Sequence, residues 1–123
     1  MSPNAFAPMG LTTAISVTST ASTQQQVNQL VGTPQLNQNN YVLTNLGPNT
    51  CYVAIANGTS DSSNGAPSPA LAAAVPVAGT PANGYPVLAG SKETITAPTD
   101  AWFSAVCASA QTATLLITQG EGV

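Results

Sequence analysis

Hydrophobic and polar residues alternate along several stretches of the chain with the two-residue period of a β-strand. In the segment 11–20, Leu11, Ile15 and Val17 share one parity, and most of the other residues are Thr or Ser. This alternation predicts a strand with one buried face. The next residues, 21–40, are rich in Gln and Asn, and their scattered apolar side chains predict either a short helical turn or an irregular arm.

The central part of the chain contains two further strand-like runs, 41–46 and 50–56. They are separated by Gly47-Pro48-Asn49, which supplies both the conformational freedom and the restricted φ that a chain reversal requires. We therefore predict that the two runs pair with each other as a β-hairpin.

Two loop-like segments follow these strands. Residues 57–69 contain two Asn-Gly pairs, which favour turns with positive φ, and residues 78–86 are rich in Gly and Pro. Between them, the Ala-rich residues 70–77 predict a short strand or an extended segment. Long loops in compact domains are often functional, so we expect both loops to be contact surfaces.

The last third of the chain has the clearest strand pattern, with short β-forming runs separated by turn residues such as Ala89-Gly90. Four strands are predicted there, at 86–88, 92–96, 102–108 and 113–118. With the earlier runs this makes about seven or eight strands and no long helix. The pattern predicts an all-β fold, an antiparallel β-sandwich or a jelly-roll-like arrangement with an extended N-terminal arm.

The length of the chain corresponds to one domain. It has 123 residues, and no stretch resembles a linker between two independent cores. Within this single domain, we expect residues 1–40 to form the N-terminal arm and the first strand. Residues 41–123 are then expected to form the β-sandwich.

Charged residues are almost absent. Lys92 is the only basic residue, four residues are acidic, and the net charge is −3. One cation cannot neutralise a row of phosphates, so the composition argues against binding to nucleic acid or to an anionic membrane surface. No apolar run has the length of a membrane span either. We expect neither nucleic acid nor a membrane as a partner.

The hydrophobic core is thinner than the 43% of hydrophobic residues suggests. Ala accounts for 20 of these residues, and only 25 residues are Val, Leu, Ile or Phe. Another 45 residues are Ser, Thr, Asn or Gln, so the surface is polar but uncharged, and charged residues are depleted at the centres of protein interfaces. We expect a domain that gains stability in an oligomer or larger assembly, the alternative being a secreted protein with an ordinary polar surface.

The residue types that most enzyme mechanisms need are missing. The chain has no His, the commonest general base and metal ligand. The carboxylates are Asp61, Glu93, Asp100 and Glu121, and three of them fall in predicted turns, loops or the terminal tail, where solvated or capping carboxylates are typical. No phosphate-binding glycine loop is present. We expect no enzymatic activity, no metal and no cofactor.

The two cysteines, Cys51 and Cys107, lie in different predicted strands. They form either a disulfide or two buried free thiols, and synthesis in a reducing compartment favours the thiols. The residues that follow Met1 contain neither the basic region nor the apolar region of a secretory signal, so we expect synthesis in the cytoplasm.

Four segments between residues 41 and 123 share a pattern of turns and apolar alternation without catalytic residues. They read Val-Leu-Thr-Asn-Leu-Gly-Pro-Asn-Thr-Cys-Tyr-Val-Ala-Ile-Ala at 42–56, Pro-Val-Leu-Ala-Gly-Ser-Lys-Glu-Thr-Ile at 86–95, Ala-Trp-Phe-Ser-Ala-Val-Cys-Ala at 101–108 and Leu-Ile-Thr-Gln-Gly-Glu-Gly-Val at 116–123. This pattern resembles small virion structural proteins of tailed bacteriophages. The first forty residues lie outside the resemblance.

The resemblance implies a capsid decoration, or cement, protein that binds and stabilises the major capsid protein on the outer surface of the virion. It also implies a homo-oligomer, with a trimer favoured over a dimer, whose first forty residues would contact the capsid or bridge subunits. The alternative is a small fibre or spike subunit, or a glycan-binding host-recognition module, in which exposed aromatic side chains stack on sugars. The candidate protein-contact residues are Phe6, Leu11, Val27, Leu30 and Leu36 in the first forty residues, and Tyr85 and Trp102 in the sandwich.

Overall fold

The computed structural model describes residues 7–26, 40–56, 70–97 and 101–121. Every helix or strand in these residues is a β-strand, and the strands form two antiparallel sheets. The prediction of an all-β sandwich is confirmed. The strands are β1 Ala7–Val17, β2 Gln25–Gln26, β3 Asn40–Pro48, β4 Cys51–Ala56, β5 Tyr85–Val87, β6 Lys92–Thr96, β7 Trp102–Cys107 and β8 Ala113–Glu121.

The two sheets have the strand orders β1-β8-β3-β6, here called sheet A, and β2-β7-β4-β5, here called sheet B. Their antiparallel pairs are nested, because β1 pairs with β8, β2 with β7, β3 with β6, and β4 with β5. The described chain is therefore arranged as if one long hairpin had been rolled up into two facing sheets.

Alternate residues of both sheets point inward and fill the core, as the two-residue period of a strand requires. Leu43 of β3 and Ile117 of β8 contribute from sheet A, and Val53 of β4 contributes from sheet B; all three are almost fully buried. The rings of Tyr41 and Phe103 pack edge to face, with centroids 5.2 Å apart. Such aromatic pairs contribute about 1 kcal/mol beyond the burial of their area, so this contact helps to hold the two sheets together.

The predicted hairpin between residues 41–46 and 50–56 is wrong. β3 lies in sheet A and β4 in sheet B, so the chain crosses from one sheet to the other at Asn49 and Thr50, between the end of β3 at Pro48 and the start of β4 at Cys51. The alternation of apolar residues indicates which side chains face the core. Two strands with this alternation bury their apolar side chains equally well side by side in one sheet or face to face across the core. The alternation alone therefore did not distinguish a hairpin from a crossing between the sheets.

The four strands predicted in the last third of the chain are confirmed as β5 to β8, with shifted ends. Ala89-Gly90 forms the predicted turn, in which Gly90 has a φ of +77° and the Ser91 N–H donates to the Leu88 carbonyl at 3.0 Å. The Ala-rich residues 70–77 form an extended segment outside the two sheets, which is the second of the two predicted alternatives.

The first predicted strand is confirmed as β1, which pairs with β8 and so places residues before Tyr41 within sheet A. After β1 the chain crosses to sheet B, where Thr18 O accepts the Cys107 N–H at 2.7 Å and the Ser22 N–H donates to Ala105 O at 2.9 Å. This crossing closes one side of the sandwich. The extended arm predicted within residues 1–40 stays a prediction, because residues 1–6 and 27–39 lie outside the described part of the chain.

Residues 70–84, here called the strap, pass over the outer face of sheet B. Ala73 of the strap is buried against Ala54 and Val106 of that sheet. The Ser104 hydroxyl accepts the Ala73 N–H at 3.1 Å and donates to Ser22 O at 2.8 Å. One buried hydroxyl thus joins the strap, β7 and the segment before β2.

Candidate protein-contact surfaces

The described residues contain no group of three or more His, Cys, Asp or Glu side chains that could hold a metal ion. Lys92 and Glu93 are neighbours on β6 but face opposite sides of sheet A, because Lys92 pairs with Thr44 and Glu93 with the buried Leu43. Lys92 is exposed on an edge strand, as expected for a lysine that discourages further strand pairing. Asp61 and Asp100 lie outside the described residues, and so does the side chain of Glu121.

Tyr85 links the two sheets at one side of the sandwich. Its hydroxyl donates to Glu93 Oε1 at 3.3 Å, which joins the edge strand β5 of sheet B to the edge strand β6 of sheet A. The nearby Glu93 carboxylate raises the pKa of the Tyr85 phenol above its ordinary value, because it disfavours the phenolate. Tyr85 as a whole remains 45% exposed, so it is accessible.

Trp102 is half-buried and lies on the other face of sheet B from Tyr85. It pairs with Ala56 at the start of β7, whereas Tyr85 pairs with Val53, which faces the core. The indole N–H of Trp102 is buried without a hydrogen-bond partner among the described residues. The structure therefore does not bring the two predicted aromatic residues together into one surface for stacking on a sugar.

Two leucines that the sequence pattern did not single out are the most exposed large apolar residues near a sheet end. Leu46 is 62% exposed and Leu88 is 61% exposed. Together with the exposed Pro48 and Ala89 they are here called the corner patch. Leu46 and Pro48 are among the last residues of β3, and Leu88 and Ala89 lie in the β5–β6 turn. Leu46 has the outward parity of Thr44, so the alternation itself contained the signal that could have found it.

The fully buried Asn45 holds these two loops together. Its side-chain amide donates to Asn49 O at 2.9 Å and to Val87 O at 2.8 Å, and its Oδ1 accepts the Gly47 N–H at 2.7 Å. Its backbone also exchanges two hydrogen bonds with residues 90 and 91 of the β5–β6 turn. Because one residue fixes both loops, the corner patch is presented on a rigid support.

A groove of about 470 Å³ opens between the strap and the outer face of sheet B. It is lined by residues from segments 19–21, 73–75 and 106–109, all of them uncharged, with small apolar or hydroxyl side chains predominating. The volume is in the range of small-molecule pockets, but the lining lacks the charged or convergent polar groups that usually orient a ligand. The groove therefore has the size of a small-molecule pocket but lacks polar groups arranged to recognise a particular ligand.

The other predicted contact residues are only partly placed by the structure. The backbone of Leu11 lies in β1, at the irregular pairing between Pro8 and Thr12. The predicted contact loop 78–86 contributes Tyr85 to the surface, and Val77, which precedes the loop, is 61% exposed. Phe6, Val27, Leu30, Leu36 and the predicted contact loop 57–69 lie outside the described residues.

No family model, curated protein or solved structure matches this chain. Within the described residues, no helix has the length and apolar character needed to cross a membrane. The surfaces described above are thus the basis for inferring what the protein does.

Proposed function

We propose that this chain is a structural virion protein, a capsid decoration protein that binds the outer surface of a shell of major capsid protein and stabilises it through protein contacts. The observation that carries the proposal is the corner patch, in which Leu46 at the end of β3 and Leu88 in the β5–β6 turn are exposed on segments that the buried Asn45 holds in place. A rigid apolar surface without charge suits a permanent contact with another protein.

The energetics of the corner patch support this role. Burying a leucine that was exposed to water contributes on the order of 2 kcal/mol, and the two leucines are each more than half exposed. Loops that are already fixed lose little conformational entropy when a partner binds. A small patch of this kind can therefore act as the centre of an interface, surrounded by the uncharged polar residues that make up much of the surface.

We interpret the nested strand order as a jelly roll, in which eight strands form two facing sheets. Jelly rolls occur in viral capsid proteins and also in lectins, so the fold supports a virion role by analogy alone. The resemblance of residues 41–123 to small virion proteins favours the capsid role over the lectin role. An enzymatic role has no support from the side chains described above.

The proposal is tested by mixing the purified chain with undecorated, expanded shells of tailed-bacteriophage major capsid protein and measuring co-sedimentation. We expect binding that changes little between low and high salt, because one cation and four carboxylates provide little electrostatic attraction. The double variant Leu46→Ser and Leu88→Ser is expected to bind at least about tenfold more weakly.

Val77→Ser is the matched control, because it removes an equally exposed apolar side chain from the strap, outside the corner patch. It is expected to bind as the unmodified chain does. Equal losses in both variants would contradict the assignment of the corner patch. Failure of the unmodified chain to bind shells, together with glycan-array binding that Trp102→Ala abolishes, would favour the host-recognition alternative.

A further inference from the structure

The four edge strands of the sandwich differ in how well they are protected against pairing with another chain. An exposed edge presents unpaired N–H and C=O groups, and proteins shield such edges by shortness, proline or charge. Among the described residues, β2 has two residues, β5 has three and contains Pro86, and β6 carries Lys92. These three edges therefore follow the usual protective rules.

β1 is the fourth edge, and the part that extends from Thr12 to Val17 has none of these protections. This part contains no charge and no proline, and it pairs with β8 in unbroken register. No described residue pairs with its other side. The side chains of Thr12, Ala14 and Ser16 are exposed on the outer face of sheet A.

We propose that β1 is a self-association edge, at which two copies of the chain pair antiparallel about a two-fold axis at Ala14 and join their A sheets into one continuous sheet. In this register Ala14 lies opposite the partner subunit's Ala14, and Thr12 lies opposite the partner subunit's Ser16. Hydroxyl pairs of this kind stabilise neighbouring strands. β1 already makes one with β8, where the hydroxyls of Thr12 and Thr118 are 2.7 Å apart.

A second copy fits this edge better than an unrelated strand, because the segment is uncharged and has small residues at its centre. An antiparallel copy therefore meets neither like charges nor bulky side chains at this edge.

This inference does not rest on capsid binding, and it differs from the trimer expected from the resemblance. Pairing of β1 with itself uses the same surface on both copies, so the contact closes as a dimer. A trimer would need a contact between two different surfaces of the chain. The mass of the particle in solution therefore separates the two expectations, whether or not the chain binds a shell.

The test is sedimentation equilibrium of the full chain at micromolar concentrations, with substitutions at the two-fold axis. Ala14→Lys and Ala14→Glu each place like charges opposite each other in the dimer, so each variant alone is expected to dissociate at least tenfold more readily. Mixing the two variants places opposite charges at the axis and is expected to restore dimers. Thr94→Lys, on the same outer face but on β6, is the control and is expected to keep the mass of the unmodified chain.

Three results would overturn the inference: an unmodified chain that is monomeric at 100 µM or trimeric, single variants that keep the dimer mass, or a mixture that fails to restore it. Circular dichroism of each variant establishes that the sandwich is folded. Because the rescue by mixing requires folded chains and a contact at residue 14, it separates loss of pairing from loss of fold.

Discussion

Cys51 of β4 and Cys107 of β7 lie directly opposite each other in sheet B, and both are buried as free thiols. The Cys107 N–H donates to Thr18 O, on the side away from β4, so the two cysteines form a non-hydrogen-bonded pair. Opposite Cα atoms approach most closely in such pairs, at about 4.5 Å. The sequence left a disulfide and two thiols open, and the structure has the thiols.

Burial of this pair predicts that neither thiol reacts while the chain is folded. An aromatic disulfide reagent is expected to modify no cysteine quickly in native buffer and both cysteines after unfolding in guanidinium, because the reagent needs an accessible thiolate. The measurement is the absorbance of the released thiolate over time. A thiol that reacts within seconds under native conditions would show that sheet B opens at β4 and β7, contrary to this prediction.

The same burial predicts a loss of stability at alkaline pH. Burial, together with the neighbouring Cys107, raises the pKa of Cys51 from 9.0 to about 11. Because the folded pKa is the higher one, the neutral thiol stabilises the folded chain fully below pH 9, and this contribution is lost as the pH rises to 11. We expect the free energy of unfolding in urea to fall by about 2 to 3 kcal/mol over this range from Cys51 alone.

Burial also raises the pKa of Cys107, and two variants separate the contributions of Cys51 and Tyr85 from the rest. Cys51→Ala removes the thiol and is expected to flatten much of the pH dependence, whatever its effect on stability at pH 7. Tyr85→Phe removes a phenol whose pKa the Glu93 carboxylate raises, and it isolates the second contribution. An unmodified chain that is equally stable at pH 8 and pH 10.5 would contradict the assignment to Cys51.

Asn45→Ala is predicted to destabilise the fold strongly. The substitution leaves Asn49 O, Val87 O and the Gly47 N–H without their side-chain partner in a buried corner. Unpaired buried polar groups cost about 1 to 3 kcal/mol each before relaxation, so we expect the free energy of unfolding to fall by about 2 to 4 kcal/mol. Equilibrium denaturation in urea measures this loss.

Asn49→Ala is the matched control for this corner. The Asn49 amide donates to Thr112 O at 3.1 Å in an exposed position, where water replaces the lost bond. We expect this variant to lose less than about 1 kcal/mol. If the two variants lost the same free energy, Asn45 would not be the residue that holds the two loops together.

The strands and the faces they present could be predicted from the sequence, whereas the pairing could not. The parity of Ile15 and Val17 predicted a strand with one buried face, and both side chains are buried. The assignment of β3 and β4 to different sheets depends instead on nested partners far along the chain, with β3 pairing with β6 and β8. A local pattern of apolar residues has no information about such partners.

The contact surface was less predictable than the fold, for a related reason. Leu46 and Leu88 are exposed because each lies where a strand ends, and the support beneath them is a hydrogen bond from Asn45 to Val87, 42 residues later in the chain. The sequence alone does not distinguish Asn45 from any other Asn between strand-like residues, because its partner Val87 comes close only in the folded chain. Tyr85, a predicted contact residue, is accessible, and its hydrogen bond to Glu93 depends on the packing of the two sheets.

Gly84→Ala is predicted to displace the strap. A Cβ at residue 84 would collide with the Ala74 carbonyl oxygen and lie 3.0 Å from the Cβ of Tyr52, so the strap and β4 could not keep their present approach. We expect a loss of about 1 to 3 kcal/mol in the free energy of unfolding. Faster hydrogen exchange is also expected at the Ala74 N–H, which donates to Asn83 O at 3.1 Å.

Gly79→Ala distinguishes this steric effect from the general cost of replacing a glycine in the strap. Nothing lies within 4 Å of a Cβ at Gly79, but its φ of +83° makes alanine strained there. That strain costs about 1 kcal/mol and is confined to the turn, so the Ala74 N–H is expected to keep its protection from exchange. If Gly84→Ala left this protection unchanged as well, the strap would not depend on close packing at Gly84.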